Sequence, residues 1–473
     1  MKILLVNPPS RSPQPVIPLG LAYLAAALEA AGERVQVLDA WAERFSLPDL
    51  ERWLARHGPW GLIGVTIMAP TWEVGRETVQ AIRRQVPGGA IIIGGTYPSA
   101  LPEDAMAACA EIDFAAIGEG DQLIVDLVRS LRTGTPALSA IPGLVYRTPT
   151  GIRRNPGRGL VRHLDHLPML AWHLFPLKRY IPHPPYRLLR SFATLITSRG
   201  CPFHCIYCTK AVSGSDFRVQ GVPRILEELR HLSRTYGIKQ VHFYDDDFPR
   251  PRHRLLEFCR TLRQSGLPLL WSCVARVDSV DEEVVREMKA AGCWLIAFGV
   301  ESGSQAILDR ALKGYTLAQV RRAFAVTRQA GLQTLGYFMA GLPGETRETL
   351  EQTVRLSLEL DPDYVSWSIT ALYPGSRLHE QAREQWSSHP GGPGHLPRFG
   401  VSSQSPYAHG HVALLEENLP AAEIQAAVAA AYRRFYLRPG YLLRFPSKWQ
   451  TLTQALSFFK AGGDFLRWVW SRG

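Results

Sequence analysis

Short apolar segments alternate with helical patterns along most of the 473 residues, and this alternation constrains the fold more than any other feature. In residues 1–135, five strand-like segments separated by helices predict a doubly wound, parallel five-stranded sheet. In residues 191–385, six such units predict a partial (β/α)6 barrel. A hairpin pattern and a proline-rich linker occupy residues 136–190, and residues 386–473 predict a small, mainly helical region. The predicted fold class is therefore α/β.

Three cysteines, spaced Cys201-x-x-x-Cys205-x-x-Cys208, directly follow the first strand of the second series. Active sites of βα barrels lie at the carboxyl ends of the strands, so this position favours catalysis over a structural metal. Three thiolates can hold an iron–sulfur cluster and leave one iron without a protein ligand. Zinc is a weaker interpretation, because structural zinc sites use four ligands and no second pair of matching spacing follows. Disulfides are weaker still.

The composition is that of a globular protein with two or three domains. The chain is 46% hydrophobic and 20% charged, and no run of eighteen apolar residues predicts a membrane span. The N-terminus enters a strand pattern without a signal segment, so we expect a cytoplasmic protein. The formal net charge is +11, but the basic excess lies largely in the proline-rich residues 151–200, so nucleic acid is not an expected partner. The remaining cysteines are expected to be buried, inert thiols: Cys109, Cys259, Cys273 and Cys293.

The three-cysteine motif, with Tyr207 before its last cysteine, resembles that of the radical S-adenosylmethionine (SAM) superfamily. The resemblance implies a 4Fe–4S cluster on Cys201, Cys205 and Cys208, whose open iron is chelated by the amino and carboxylate groups of SAM. It also implies that one electron from the cluster cleaves SAM, and that the resulting 5′-deoxyadenosyl radical abstracts a hydrogen atom from substrate. We therefore expect an external one-electron reductant such as flavodoxin or ferredoxin.

Motifs at the predicted ends of the barrel strands resemble the SAM-binding motifs of this superfamily. The acidic residues 245–247 stand where the family binds the methionyl amine, although a solvated acidic turn is the alternative. Glu301 belongs to a Gly-x-Glu-Ser-Gly motif whose glutamate contacts SAM, while Met339 and Tyr207 would pack against the adenine. Arg276 would pair with the methionyl carboxylate or with a structural partner. The predicted SAM-binding residues are Tyr207, Asp245, Asp246, Asp247, Arg276, Glu301, Ser302, Met339 and Gly341.

The first series of strands resembles the cobalamin-binding domain of cobalamin-dependent radical SAM enzymes, on the segments PLGLAYLAAALEAAGERVQVLDA, GGTYPS and AIGEGDQ. Cobalamin mutases carry Asp-x-His-x-x-Gly with a cobalt-ligating histidine, where this chain has residues 39–44, DAWAER. We therefore predict cobalamin without a histidine lower ligand; a scaffold that binds no corrinoid is the alternative. The predicted cobalamin-binding residues are Asn7, Thr66, Met68, Gly94, Gly95, Thr96, Tyr97, Gly118 and Glu119.

These resemblances predict a cobalamin-dependent radical SAM methyltransferase that acts on an unactivated carbon of a small, hydrophobic biosynthetic substrate. An oxidative cyclase or rearrangement enzyme, similar to the anaerobic magnesium-protoporphyrin cyclase, shares this domain order and is the second interpretation. A methylthiotransferase is disfavoured, because neither an upstream cysteine set nor an RNA-binding module is recognisable. A corrinoid- or SAM-sensing protein is disfavoured by the intact three-cysteine motif.

The C-terminal tail combines aromatic and basic residues. This combination suits peripheral contact with the inner membrane, and it suits equally a helix that packs over the mouth of the barrel. Both interpretations stay open. The aromatic residues concerned are Trp449, Phe458, Phe459, Phe465, Trp468 and Trp470.

Overall fold

Five parallel strands form the N-terminal sheet, as predicted. The computed structural model describes residues 1–387 except 11, 13 and 183, together with residues 418–444, 451 and 454–456. The strands are β1 (Lys2–Asn7), β2 (Arg34–Asp39), β3 (Leu62–Thr66), β4 (Ala90–Gly94) and β5 (Phe114–Ala116). Their order is β2-β1-β3-β4-β5, so the direction of strand progression reverses beside β1. Ligands of such sheets bind at this reversal, beyond the carboxyl ends of the strands.

The predicted hairpin is present and extends this sheet to seven strands. Its strands, β6 (Leu144–Thr148) and β7 (Gly151–Arg154), pair with each other in antiparallel orientation. Strand β6 also pairs antiparallel with β5, where Tyr146 lies opposite Phe114. The hairpin therefore covers the edge that β5 would otherwise expose, and the sheet continues beyond residue 135.

Helices connect the parallel strands of the first sheet. They are α1 (Leu19–Ala30), α2 (Leu47–His57), α3 (Trp72–Gln85), α4 (Thr96–Ala100), α5 (Pro102–Ala108) and α6 (Asp121–Thr133). Helix α2 begins after Ser46 because the Ser46 side chain accepts a hydrogen bond from the backbone N–H of Asp49, and the Asp49 carboxylate accepts one in return.

A second parallel sheet forms the partial barrel, as predicted. The strands of this half of the chain are β8 (Phe192–Leu195), β9 (Ser198–Arg199), β10 (Arg218–Val219), β11 (Gln240–Phe243), β12 (Leu270–Ala275), β13 (Cys293–Glu301), β14 (Gln333–Ala340) and β15 (Tyr364–Ile369). Six of them form the parallel sheet in the order β8-β11-β12-β13-β14-β15. Strands β9 and β10 pair separately in antiparallel orientation, and they enclose the segment that carries the three cysteines.

Seven helices surround the barrel sheet within the described residues. They are α7 (Val222–Tyr236), α8 (Arg252–Gln264), α9 (Glu282–Ala290), α10 (Gln305–Arg310), α11 (Leu317–Gln329), α12 (Arg347–Leu360) and α13 (Arg377–Ser387). Two of these helices begin at a residue whose side chain caps the first turn. Asp281 accepts a hydrogen bond from the N–H of Val284 at the start of α9, and Thr346 accepts one from Thr349 at the start of α12.

The described residues of the C-terminal region form two helices, α14 (Ala421–Tyr436) and α15 (Pro439–Arg444), in keeping with the helical region predicted there. Helix α14 packs along β15, the edge strand of the barrel sheet. The tail aromatics that suggested membrane or barrel contact lie outside the described residues. No helix within the described part of the chain is long and apolar enough to cross a membrane.

One apolar core joins the two halves of the chain. It contains residues of the first sheet such as Leu5, residues of the barrel such as Phe243, and Ile424 of α14. Trp172 and Phe175, from the linker, belong to the same core and are buried. Because linker side chains fill the space between the halves, the carboxyl ends of both sheets are held in a fixed arrangement.

Candidate active site

The cysteine segment is held in place by backbone hydrogen bonds to the barrel. The N–H of Ile206 donates to the carbonyl of Ala311 at 3.2 Å, and the carbonyl of Ile206 accepts from the N–H of Leu378 at 2.9 Å. Gly200, before the first cysteine, has φ +81°, and a side chain there would collide with the backbone of Asp216. The segment is therefore fixed at its start and at Ile206, between the second and third cysteines.

The three cysteines are free thiols, and Cys205 and Cys208 line a cavity. The cavity has a volume of about 860 Å³, and its lining includes Cys205, Cys208, Lys210, Lys313 and Arg377. None of the three cysteines is as buried as the other four, which are enclosed in the apolar core as predicted. Within the described residues, no three His, Cys, Asp or Glu side chains converge on one metal ion. A cluster differs from a single ion in this respect, because each cysteine binds a separate iron.

Burial and neighbouring negative charges favour the neutral thiol form of Cys201 and Cys208 over the thiolate. Burial, followed by the charges of the neighbouring Asp246, Cys205 and Cys201, raises the pKa of Cys208 to about 12. The pKa of Cys201 is also raised, first by burial and then by Asp246. Thiolates form here when a cation compensates their charge, so iron binding would release protons. This donor set fits a cluster.

Of the three adjacent aspartates, only Asp246 presents its carboxylate to the site. Asp245 is buried and accepts hydrogen bonds from the backbone and hydroxyl of Thr197, at 3.0 and 2.9 Å. Asp247 is buried and accepts from the N–H of Arg276 at 3.1 Å and from the hydroxyl of Ser279 at 2.6 Å. The side chain of Asp246 is reached by solvent. The surrounding protein atoms and the charges of Asp245 and Asp247 raise its pKa to about 6. A bound cation would stabilise its charged form.

Glu301, Lys313 and Tyr207 form a buried polar cluster beside the cysteines. Glu301 has φ +65°, unusual for a residue other than glycine, at an irregularity in the pairing of β13 with β14. Its carboxylate forms an ion pair with Lys313 at 2.7 Å, and the Lys313 ammonium also donates to the hydroxyl of Tyr207 at 3.1 Å. Burial acts to lower the pKa of Lys313, but the charge of Glu301 outweighs it and holds that pKa well above its ordinary value.

Most of the other predicted SAM-binding residues contact neighbouring residues of the barrel. The Arg276 guanidinium binds both oxygens of Asp278, at 2.9 and 3.1 Å, and stacks on Phe203. Ser302 is buried against Thr353. Met339 is half-buried on β14. The N–H of Gly341, with φ +82°, donates to the carboxylate of Glu345 at 2.5 Å.

Some of the predicted cobalamin-binding residues already contact other side chains of the protein, and the others are open to a ligand. Asn7 donates to Asp39 at 2.8 Å, and Tyr97 is buried with its ring stacked on Trp72. Glu119 is buried in an ion pair with Arg218. The open group lies at the carboxyl ends of β3 and β4 and just beyond β3, β4 and β5, and it consists of Thr66, Met68, Gly94, Gly95, Thr96 and Gly118.

Within the first domain, among the residues that the structure describes, no histidine lies at this edge of the sheet. The single histidine in residues 1–135 is His57, at the C-terminal end of α2 and thus at the opposite edge. Asp39 accepts hydrogen bonds from Asn7, from the N–H of Ala42 and from the hydroxyl of Tyr180 in the linker. The open edge, built from glycines and small or apolar side chains, fits a broad, flat ligand without an imidazole below it.

The two ligand edges adjoin one another. A methyl group added to Gly375, at the exit of the barrel, would lie 3.1 Å from Ala100 of α4, and one added to Gly118 would lie 3.6 Å from the carbonyl of Val212 in the cysteine segment. Arg199, two residues before the first cysteine, binds Asp121 at 2.7 and 3.1 Å. Groups bound at the two edges would therefore share one chamber.

The sequence patterns did not identify Lys313 as a residue of the site. It lies twelve residues after Glu301, beyond α10, and nothing in its local pattern distinguishes it from a solvent-exposed lysine. The same is true of Arg218, whose partner Glu119 is 99 residues away. Long-range ion pairs leave no periodic signal in a sequence.

Comparisons with known proteins agree with this arrangement. Residues 10–128 match the B12 binding domain, and residues 195–357 match the radical SAM superfamily. An uncharacterized methyltransferase of Pyrococcus horikoshii is 34% identical over 394 residues, which cover 81% of this chain and 83% of that protein. The chain belongs to the cobalamin-dependent radical SAM enzyme family.

Two further proteins are similar to this chain. The anaerobic magnesium-protoporphyrin IX monomethyl ester cyclase of Cereibacter sphaeroides is 27% identical over 436 residues, covering 91% of this chain and 68% of that protein. The solved structure of the radical SAM methyltransferase TsrM from Kitasatospora setae, with cobalamin and a 4Fe–4S cluster bound, aligns with a TM-score of 0.72 at 22% identity, covering 93% of this chain and 89% of that one. The predicted family and fold are thus confirmed.

Proposed function

We propose that this radical SAM enzyme transfers a methyl group to an unactivated carbon of a small, hydrophobic biosynthetic substrate. The observation that carries the proposal is the meeting of the two ligand edges, with Gly118 against the cysteine segment and Ala100 against the barrel exit. A methyl donor held at one edge and a radical generated at the other would both reach a substrate between them. The relative with the higher identity is also named a methyltransferase.

In this proposal, residues of the chain bind and orient the cluster and SAM. Cys201, Cys205 and Cys208 would hold the cluster. Asp246 would accept a hydrogen bond from the methionyl amine, since its carboxylate is the one open to the site among the three aspartates. Glu301, fixed by Lys313, would accept hydrogen bonds from SAM. When bound, the cofactors supply the electron, the hydrogen-abstracting radical and the methyl group.

Anaerobic reconstitution tests this proposal without knowledge of the substrate. The protein is supplied with iron, sulfide, cobalamin, SAM and a strong reductant, and its iron and cobalt are quantified. We expect formation of 5′-deoxyadenosine from SAM, and of S-adenosylhomocysteine only when cobalamin is present. Cys205→Ala should abolish 5′-deoxyadenosine, whereas Cys259→Ala, in the buried core, should retain it. Wild-type protein that binds neither iron nor cobalt would refute the proposal.

A cyclase or rearrangement activity is the second candidate, supported by the similarity to the magnesium-protoporphyrin cyclase over 91% of this chain. Product analysis separates the two candidates. A cyclase would form 5′-deoxyadenosine but no S-adenosylhomocysteine, because no methyl group leaves SAM. We also propose an external one-electron donor such as flavodoxin or ferredoxin, and a reducing, cytoplasmic compartment suited to free thiols.

A further inference from the structure

Lys210 follows the third cysteine of the site by two residues, and its side chain folds back over the cysteine segment. The Lys210 ammonium donates hydrogen bonds to the carbonyl of Phe203, between the first two cysteines, and to the hydroxyl of Ser215, the latter at 3.4 Å. It also lines the same cavity as Cys205. The charged end of this lysine therefore lies within the segment that would hold the cluster.

Backbone hydrogen bonds connect Lys210 to the first cysteine. The carbonyl of Lys210 accepts from the N–H of Gly214 at 3.0 Å, and the carbonyl of Gly214 accepts from the N–H of Cys201 at 3.4 Å. Strands β9 and β10 pair on either side of this segment. The lysine is therefore attached to a fixed part of the site at its backbone and at its ammonium.

Lys210 differs from other cations near the cysteines in the groups that it contacts. Lys313 forms an ion pair with Glu301 at 2.7 Å, and Arg276 forms one with Asp278 at 2.9 Å, so a carboxylate balances each of these charges. Within the part of the chain that the structure describes, the Lys210 ammonium forms no ion pair, and its two acceptors are neutral oxygens. Its positive charge is therefore available to a negative group bound beside it.

A 4Fe–4S cluster held by the three cysteines would be a negative group of this kind. Three thiolates outweigh the positive charge of the oxidised core, so the assembly is negative before reduction and more negative after one electron is added. We propose that Lys210 raises the reduction potential of the cluster, because its ammonium stabilises the reduced form more than the oxidised form. The external one-electron donor loses the electron that the cluster gains, and no proton or covalent bond changes in this step.

The inference rests on the proposed function, because it requires the cluster. Lys210 acts here through its charge and not as an iron ligand. Glutamine at this position can still donate a hydrogen bond to the carbonyl of Phe203 but carries no charge, whereas arginine keeps the charge. Comparison of the two variants therefore separates the effect of the charge from that of the hydrogen bond.

A redox titration followed by electron paramagnetic resonance tests the proposal, on full-length protein loaded anaerobically with iron and sulfide but without cobalamin or SAM. We expect Lys210→Met and Lys210→Gln to lower the equilibrium constant of cluster reduction about tenfold, which corresponds to a midpoint potential about 59 mV lower. Lys210→Arg should stay close to the wild type. Arg377→Met is the control, because Arg377 lines the same cavity but is exposed, so water and salt screen its charge and the midpoint should hardly change.

Three results would overturn the inference. One is a wild-type midpoint in both Lys210→Met and Lys210→Gln when their iron content equals that of the wild type. A second is an equal lowering in Lys210→Arg or in Arg377→Met, because the charge of Lys210 would then not be the cause. A third is loss of the cluster from all three Lys210 variants, which would assign the lysine to the folding of the segment. If the methionine variant alone loses iron, the glutamine variant decides. Wild-type protein that binds no iron would instead refute the proposed function.

Discussion

At the scale of single residues, the Lys313–Glu301 pair shows how the barrel tolerates charge beside the cluster site. Both side chains are buried, so removing one leaves the other without a counter-charge. We expect Lys313→Met to destabilise the protein by about 3 kcal/mol. Arg321→Met, in the exposed pair with Glu359, should cost less than about 1 kcal/mol. Urea denaturation of the two variants measures the difference, and equal shifts of the midpoint would contradict the buried-pair argument.

The raised pKa of Glu345 predicts that the free energy of unfolding depends on pH. Burial raises its pKa to about 7, above the ordinary value of 4.5, despite hydrogen bonds from the backbone of Gly341 and Leu342. The fold therefore favours the protonated acid. Its contribution, about 3 kcal/mol, is complete below pH 4.5 and is lost as the pH rises to about 7. Glu345→Gln, which mimics the protonated form, should flatten Tm between pH 5 and 7.

The matched control for this residue is the exposed Glu359, whose pKa is lowered by Arg321 rather than raised. Glu359→Gln should leave the slope of Tm between pH 5 and 7 as it is in the wild type. An unchanged slope in Glu345→Gln would show that another group controls the pH response.

At the scale of elements, α14 closes the open edge of the barrel sheet with tyrosine hydroxyls. The N–H of Trp367 donates to Tyr432 at 2.9 Å, and Tyr436 accepts from the N–H of Val365 and donates to its carbonyl, both at 3.0 Å. Each Tyr→Phe change should leave a strand amide unpaired and cost about 1 kcal/mol. Hydrogen exchange at residues 365 and 367 should accelerate accordingly. Tyr244→Phe, far from this edge, should leave both amides protected.

The elements themselves were the predictable part of this molecule. Strands β1 to β5 and the six barrel strands follow from apolar runs, and the starts of α9 and α12 follow from local capping residues. The antiparallel attachment of the hairpin to β5 was not predictable, because pairing partners are set by tertiary packing. In the site, the cysteines and Glu301 were recognisable from their motifs. The burial of Glu119 was not, because a glycine-flanked glutamate carries no local sign of a distant arginine.

At the scale of the whole molecule, an ion-pair network joins the cobalamin-binding domain to the barrel. Arg218 binds both oxygens of Glu119 at 2.8 and 3.0 Å, and Arg199 binds Asp121 while its guanidinium lies over the ring of Tyr23. These side chains are largely buried. The network begins two residues before the first cysteine, so it couples the position of the cluster segment to the ligand edge of the first sheet.

This coupling predicts that the two domains unfold together. Loss of one member of a buried pair costs about 3–5 kcal/mol, and here the cost falls on the contact between domains. Arg218→Met should therefore split the single calorimetric transition expected of the wild type into two, measured anaerobically, and should expose the linker to proteolysis. Arg162→Met removes an ion pair between the linker and the cysteine segment, with Asp216, but that pair is exposed and should be dispensable. A single transition in both variants would mean that the apolar core holds the domains together without the network.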